Sequence, residues 1–372
     1  MGNKIALGMG NNVDCEIVWD TTVFETLAAR YKIREAELLT DIPIRTEREL
    51  LCSIFGFLKN GLGGERFVEN PWIIDKFLTY FVKKTTLGGT GIRAALAMGT
   101  LGYTATIHLV TVNDQIRSLL PTTFDYVCSN DHDSHYPHLV IQFPCETVVH
   151  VADGEIRSER ANRIIYNHNV DNMEMKLSLT FAEKLRDAKV LLVSGFNAMH
   201  DAECLKRRMT EMKKIMWSLP SDALVYLEDG GYFDDRLRGI VQNELCGRVN
   251  IYAMNEDEMQ ECLGYAVNLL DAQEVCDGLI KLHRQIPIET FVVHTRYWSV
   301  LYGKITIELK RALRGGIYLA TARFRCGDNL RREDYDAINN LPEQRAGIEF
   351  SDAINRLMGE EVFCLPGLRV CE

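Results

Sequence analysis

The chain has 372 residues, of which 47% are hydrophobic and 25% are charged, and its formal net charge is −10. This apolar content, with only nine prolines, excludes a disordered protein, and the acidic balance argues against binding nucleic acid through bulk charge. An anion that binds this chain must therefore be held by local groups. The length corresponds to about two domains, or to one large α/β unit that carries an insertion.

The eleven cysteines and the amino-terminal segment exclude further classes of protein. No two cysteines form a Cys-x-x-Cys pair, so a structural zinc site is not expected, and the odd number argues against a disulfide framework. The sequence opens into a predicted strand without a signal peptide, and no apolar run reaches about 18 residues. We therefore expect a cytoplasmic protein without a membrane partner.

Short apolar runs that end in polar residues are the main pattern of the chain. They occur at residues 5–8, 190–193, 223–227, 249–253 and 291–293. The polar residues that follow them include Asn11, Asn12, Asp14, Ser194, Asn197, Glu228, Asn255, Glu258 and His294. Helix-period segments at 177–189, 201–219, 256–269 and 272–285 alternate with the later runs. This alternation predicts a doubly wound, mostly parallel sheet flanked by helices, with ligands beyond the carboxyl ends of its strands.

Two stretches depart from this alternation. Residues 15–70 are helical and charged, and residues 120–170 are typical of β structure without interleaved helices. We expect both to form a smaller, discontinuous, β-containing lid. The remaining segments, 1–14, 71–119 and 171–372, then form the core. No proline-rich or serine-rich linker separates the two parts, which favours an insertion over consecutive domains.

A glycine-rich turn at residues 87–91 precedes an apolar helical run at 92–98. Glycine lets the backbone approach a ligand, and the N-terminus of a helix offers N–H donors. Close packing of a strand on a helix explains the same glycines, so both interpretations stay open. Neither a Walker P-loop nor a Gly-x-Gly-x-x-Gly motif is present, which argues against ordinary P-loop NTPases and dinucleotide dehydrogenases.

Carboxylates stand at two further positions, one that suits metal binding and one that suits proton transfer. Asn255 and Glu258 have the spacing of a helix capping box, and the same residues suit a Mg²⁺ ion held through water. Gly327 and Asp328 precede a polar helical stretch. A carboxylate there is placed to accept a proton from a substrate hydroxyl, and backbone N–H groups to hold a phosphoryl group. A simple helix cap is the alternative.

The order of these segments resembles that of the ADP-dependent sugar kinases, the glucokinase/phosphofructokinase branch of the ribokinase superfamily. The matching segments are Gly-Met-Gly-Asn-Asn-Val-Asp at 8–14, Gly-Gly-Thr-Gly at 88–91, Ala-Asn-Arg-Ile-Ile at 161–165, Ser-Gly at 194–195, Asn-Glu-Asp-Glu at 255–258, His-Thr-Arg at 294–296 and Gly-Asp at 327–328. Together they cover nearly the whole chain in the order of the family.

The resemblance implies a ribokinase-like core with a lid that closes over a sugar. It implies Mg²⁺-dependent transfer of a phosphoryl group from ADP to a hydroxyl of a sugar or sugar phosphate, in carbohydrate metabolism such as glycolysis. The alternatives are an ATP-dependent ribokinase-like carbohydrate kinase and a catalytically weak protein that binds sugar or nucleotide. The expected partners are small molecules, not nucleic acid or membrane, and the oligomeric state stays open.

The resemblance also implies roles for individual residues. Asp328 is the implied catalytic base, and the amides of Cys326 and Gly327 form the implied anion hole. The implied sugar contacts are Asn12, Asp14, Gly88, Gly89, Asn162 and Arg163. The implied nucleotide contacts are Asn255, His294, Thr295 and Arg325, and Glu228 and Glu258 are the implied metal-site carboxylates.

Three positions depart from the pattern of the family. Arg325 stands in place of the first glycine of the catalytic motif, Tyr226 in place of a histidine, and Gly10 in place of an asparagine. These changes place the chain in a divergent branch and leave the donor and the sugar open.

Overall fold

The structure is a computed structural model that describes residues 5–370, apart from the side chain of Asp328. Its strands, in chain order, are β1 (Ile5–Leu7), β2 (Asn12–Ile17), β3 (Gly64–Phe67), β4 (Lys83–Gly88), β5 (Thr106–Leu109), β6 (Asp125–Cys128), β7 (Pro137–Phe143), β8 (Val148–Val151), β9 (Gly154–Arg157), β10 (Asn162–Asn167), β11 (Val190–Val193), β12 (Leu224–Glu228), β13 (Ile251–Asn255), β14 (Thr290–His294), β15 (Trp298–Gly303) and β16 (Val362–Pro366).

The α-helices, in chain order, are α1 (Thr21–Tyr31), α2 (Glu47–Asn60), α3 (Pro71–Leu78), α4 (Thr90–Thr100), α5 (Asp114–Leu119), α6 (Val170–Glu174), α7 (Leu179–Lys184), α8 (Ala202–Met216), α9 (Asp235–Leu245), α10 (Glu256–Leu263), α11 (Ala272–Gln285), α12 (Ile307–Cys326), α13 (Arg332–Ala337) and α14 (Arg345–Met358). Helix α10 is shorter than the sequence predicts because Gly264 ends it in the left-handed region, with φ 77°. Within residues 5–370, no helix is both long and apolar enough to cross a membrane.

Nine strands form the large sheet, in the order β16-β15-β14-β13-β12-β11-β1-β5-β6. The strands from β14 to β6 are parallel, and β15 and β16 continue one edge with antiparallel pairs. Strand β1 pairs with β11 on one side and with β5 on the other, so the strand order reverses beside it. Such a reversal leaves a crevice at the carboxyl ends of the strands. The predicted mostly parallel, doubly wound α/β fold is confirmed.

Helices cover both faces of the large sheet. On one face a continuous apolar core includes residues of α8, α9, α11 and α14, whose apolar side chains recur at helical spacing. On the other face α4 packs against β1 and β5, and α12 packs against β15 over a smaller apolar cluster. Burial on both faces is what the nearly continuous apolar strands predict.

The smaller sheet has the order β3-β10-β7-β2-β4, and β8 and β9 form a separate hairpin. One face of the smaller sheet packs on α1, α2 and α3 through side chains such as Ile17, Leu139 and Ile164. Since successive side chains of a strand alternate between faces, the intervening polar residues lie on the opposite face. That polar face includes Asn12, Asp14, Glu65, His138 and Arg163.

The division into core and lid stays a prediction, and two strands lie outside the arrangement that the sequence suggests. Strand β4 falls in the predicted core segment but pairs with β2 in the smaller sheet. Strand β6 falls in the predicted lid segment but pairs with β5 in the large sheet. Sheet membership depends on long-range strand pairing, which the local apolar pattern does not encode.

Candidate active site

The turn after β1 is fixed by the buried side chain of Asn11. Its Oδ1 accepts hydrogen bonds from the backbone N–H groups of Val110 at 2.9 Å and Thr111 at 3.1 Å, and its Nδ2 donates to the Thr111 carbonyl at 2.9 Å. The Asn172 side chain donates to the Asn11 carbonyl at 2.7 Å. These bonds join the ends of β1 and β5 to the segment after β10, so the turn leads the chain directly from the large sheet into β2.

Asn12 and Asp14 lie on β2, on its polar face, and not in a turn. The Asn12 amide donates to the Asp14 carboxylate. Opposite Asn12 in the sheet stands Gly88, where a Cβ would lie 2.2 Å from Asn12 Nδ2 and 2.7 Å from Asp14 Oδ2. Gly89 has φ 101°, and a Cβ there would lie 2.9 Å from the Gly10 carbonyl oxygen. The structure thus brings four predicted sugar-binding residues together, and both glycines are needed for that approach.

Two residues that the sequence analysis missed complete the surroundings of Asp14. Arg93 of α4 donates from Nη2 to Asp14 Oδ2. His138 of β7 lies with Nδ1 3.8 Å from Asp14 Oδ1. Burial lowers the pKa of His138 to about 4, although the charge of Asp14 opposes this shift. The imidazole is therefore neutral at pH 7, and Arg93 supplies the positive charge beside Asp14.

Arg163 and Asn162 lie on opposite faces of β10. Arg163 shares the polar face with Glu65 and Asn167, and the Asn167 amide donates to Glu65 Oε1 at 2.7 Å. Surrounding protein atoms and the charge of Asp14 raise the pKa of Glu65, although its side chain is accessible to solvent.

The predicted sugar contact of Asn162 is not supported. Its amide donates to the Gly61 carbonyl at 3.2 Å, on the face away from Asp14. A one-residue step along a strand reverses the face, which a motif match does not reveal.

A second group of polar side chains lies at the carboxyl ends of β12, β13 and β14. His294 Nε2 lies 3.1 Å from Glu228 Oε1. Burial lowers the pKa of His294, but the hydrogen bond and charge of Glu228, with the charge of Glu258, outweigh it and raise the pKa above its ordinary value. The Thr295 hydroxyl accepts the N–H groups of Tyr297 and Trp298, each at 3.0 Å, and so closes its own turn.

The capping box at the start of α10 is present as the sequence predicts. Asn255 Oδ1 accepts the N–H of Glu258 at 2.9 Å, and Glu258 Oε2 accepts the N–H of Asn255 at 2.8 Å. Burial raises the pKa of Glu258 to about 7, and repulsion from Asp229 and Glu228 adds to the shift. The cap therefore holds a buried carboxyl among other carboxylates, at the edge where ligands bind in such sheets.

The donor set at this edge suits a hydrated Mg²⁺ ion. Carboxylate and amide oxygens are the ligands that Mg²⁺ prefers, and it usually keeps several waters. Among the side chains that the structure describes, which do not include that of Asp328, no group of three or more His, Cys, Asp and Glu is arranged to hold a metal directly. A cation beside Glu228 and Glu258 would offset the repulsion between these carboxylates, which adds to the effect of burial on the pKa of Glu258.

The structure does not present the Gly327 amide to a ligand, so the anion hole at residues 326 and 327 stays a prediction. Cys326 is the last residue of the 20-residue α12, and the Gly327 N–H donates to the Arg323 carbonyl. The C-terminal end of a helix presents carbonyl oxygens and partial negative charge, which do not favour an anion. Arg325 is exposed in the last turn of α12. The side chain of Asp328 lies outside the described part of the chain, so its role as base stays a prediction.

Comparisons with known proteins agree with this architecture. A family model described as the conserved region of ADP-specific phosphofructokinase/glucokinase matches residues 3–338. No curated protein matches the sequence.

Among solved structures, a phosphofructokinase from Pyrococcus horikoshii OT3 with AMP is 16% identical, with a TM-score of 0.78 over 100% of this chain and 93% of its own. A hypothetical ADP-dependent phosphofructokinase from the same organism is 17% identical, with a TM-score of 0.76 over 98% and 92%. An ADP-dependent kinase in complex with fructose-6-phosphate and ADPβS is 12% identical, with a TM-score of 0.70 over 98% and 88%. At such identities the likeness concerns the fold.

Proposed function

Since the chain belongs to the family of ADP-specific phosphofructokinases and glucokinases, we propose that it transfers a phosphoryl group from ADP to a hydroxyl of a sugar or sugar phosphate. The observation that carries the proposal is the meeting of Asn12, Asp14 and Gly88 beside the crevice at the end of β1. In this reaction the bond between the β-phosphorus and the bridging oxygen of ADP breaks, a bond from the sugar oxygen to that phosphorus forms, and AMP leaves.

In the proposed site, the residues of β2 hold the sugar. A carboxylate and an amide together accept and donate hydrogen bonds, which matches a pair of sugar hydroxyls. Arg93 orients the Asp14 carboxylate, and the lack of a side chain at Gly88 leaves room for the side chains of Asn12 and Asp14. Arg163 and Glu65 on the same polar face suit contacts to the more distant groups of the acceptor, including a phosphate.

Glu228 and Glu258 would hold Mg²⁺ through water, with Asn255 fixing the position of Glu258. The ion supplies charge neutralisation for the phosphates, which together with positioning accounts for most catalysis of phosphoryl transfer. Asp328 is retained as the proposed base that takes the proton of the acceptor hydroxyl.

An Asp14→Asn substitution tests the sugar site. The amide keeps the size of the side chain but loses one acceptor and the charge that holds Arg93, so we expect kcat/KM for the acceptor to fall by about a hundredfold or more. Asp114→Asn, at a side chain that is 100% exposed, is the matched control and should leave turnover unchanged. Equal activity of the wild type and Asp14→Asn would show that the residues of β2 do not bind the sugar.

A second candidate function is binding of sugar or nucleotide without turnover. The observation that favours it is the commitment of the Gly327 N–H to the end of α12, which leaves the described residues without the anion hole that the family resemblance implies. A sugar that raises the Tm while no nucleotide is consumed would support this alternative.

A further inference from the structure

A cleft of about 400 Å³ lies along the outer side of α12. Its walls include three basic residues, Lys310, Arg311 and Arg314, and three aromatic rings, those of Tyr318, Tyr335 and Phe363. Phe363 of β16 pairs with Leu301 of β15, which pairs with Val292, the middle residue of β14. Phe363 therefore lies level with the middle of β14, whereas the candidate active site lies at the carboxyl ends of the strands.

The positive charge of this cleft is not neutralised by acidic neighbours along the helix. The three basic residues of the cleft, Lys310, Arg311 and Arg314, share α12 with only one acidic residue, Glu308, in a chain of net charge −10. Lys310 and Arg314 are four residues apart, a spacing at which like charges repel on a helix. Arg314 is exposed and has no hydrogen-bond or ion-pair partner within residues 5–370.

One of two consecutive glycines in α12 keeps the middle of the cleft open. Glycine is among the poorest helix formers, so Gly315 and Gly316 weaken the centre of α12. A Cβ on Gly315 would lie 3.9 Å from Tyr335 Oη, and a longer side chain there would enter the cleft. Gly316 is surrounded by open space and does not line the cleft. Gly315 thus lowers the stability of α12 but leaves room for a ligand in the cleft.

We propose that this cleft is a second nucleotide site, which takes a nucleoside monophosphate. Guanidinium groups bind phosphate oxygens, and aromatic rings stack on a planar base. The rings of Tyr318 and Tyr335 lie 6.5 Å apart between centroids at an interplanar angle of 62°, so they present an edge and a face toward one another. Arg311 and Arg314 hold the phosphate, and these rings hold the base. A volume of this size suits a ligand of mononucleotide dimensions.

Equilibrium dialysis with radiolabelled AMP tests the proposal on the full chain. Arg314→Glu removes two of the three positive charges of the cleft in formal terms, and Gly315→Gln fills it without changing charge. Each is expected to weaken one class of AMP site by at least about tenfold. The matched controls are Arg207→Glu, on the exposed side of α8, and Gly316→Gln, beside the cleft on the same helix. Both controls should bind AMP as the wild type does.

The outcome does not depend on the proposed activity. If the candidate active site at the strand ends also binds AMP, the wild type has two AMP sites per chain and each cleft variant loses one of them. If it does not, the wild type has one site and each cleft variant loses it. Equal binding by the wild type and both cleft variants would overturn the proposal. Displacement of AMP by inorganic phosphate or fructose-6-phosphate at equal concentrations would overturn the assignment of a nucleotide, because the base would then contribute nothing. Failure of AMP to bind while an acidic peptide binds this face would overturn it as well.

Discussion

Gly88 shows how a single residue can determine the proposed sugar site. The side chains of Asn12 and Asp14 occupy the space where its Cβ would stand. Gly88→Ala must push both side chains away, and a displacement of about 1 Å costs on the order of a hundredfold in rate. We therefore expect kcat/KM for the acceptor to fall by about that factor with little change in Tm. Gly239→Ala in α9, where no atom lies within 4 Å of the added methyl group, is the control.

His108 is the residue whose burial predicts a pH dependence of stability. It is fully buried, its Nε2 accepts the Ser178 N–H at 3.1 Å, and burial lowers its pKa to about 4. Between pH 6.5 and pH 4 the unfolded chain binds a proton that the folded protein does not. This contribution to stability is complete above pH 6.5 and is lost as the pH falls, by up to about 3 kcal/mol.

Urea unfolding at a series of pH values measures this effect. His108→Gln keeps an acceptor for Ser178 but cannot titrate, so the stability of this variant should depend less on pH between 4 and 6.5 than that of the wild type. His132→Gln, at an exposed position, should retain the pH dependence of the wild type. Identical pH dependence in His108→Gln and the wild type would contradict the argument.

At the level of elements, α9 is anchored by one buried arginine. Arg238 has a side chain that is only 4% exposed, and its Nε lies 3.0 Å from Asp229 Oδ2, which is 1% exposed. It also pairs with Asp235 and Glu261, and so joins α9, the end of β12 and α10. Because Asp229 follows Glu228, this network positions the proposed metal-site carboxylates.

Removing the guanidinium of Arg238 leaves the buried Asp229 without its positively charged partner. We expect Arg238→Ala to lower the free energy of unfolding by about 3–5 kcal/mol. Arg236→Ala on the same helix, where the side chain is 89% exposed, should cost about 1 kcal/mol or less. Denaturant midpoints of the two variants give the comparison, and equal losses would show that burial of Arg238 does not matter.

For the whole molecule, the sequence predicted the architecture better than the site. Apolar runs predicted the strands from 190 to 294, because burial on both faces leaves that pattern in each strand. Helical periods predicted three of the four α-helices between those strands, and α9 was not predicted. The pattern carried no information on pairing between distant segments, so β4 and β6 were not assigned to their sheets. Arg93 and His138 were missed for the same reason, since each reaches Asp14 from an element far away in sequence.

Motif matching carries no information on local backbone geometry. The Gly-Asp at 327–328 matched a motif that needs free amides, but the structure places it directly after α12, where the Gly327 N–H donates to the Arg323 carbonyl. The match at 255–258 was more informative, because a capping box requires these residues to stand at the start of a helix. Asn255 and Glu258 make both of its hydrogen bonds at the start of α10.

Nucleotide turnover in the presence of Mg²⁺ tests phosphoryl transfer from ADP. The protein is incubated with ADP or ATP and a panel of hexoses, pentoses, nucleosides and their phosphates, and AMP and ADP are separated and quantified. We predict that AMP forms from ADP with one sugar or sugar phosphate and that omitting the acceptor abolishes it. ADP formed only from ATP, or no turnover with any pair while a sugar still stabilises the fold, would contradict the claim.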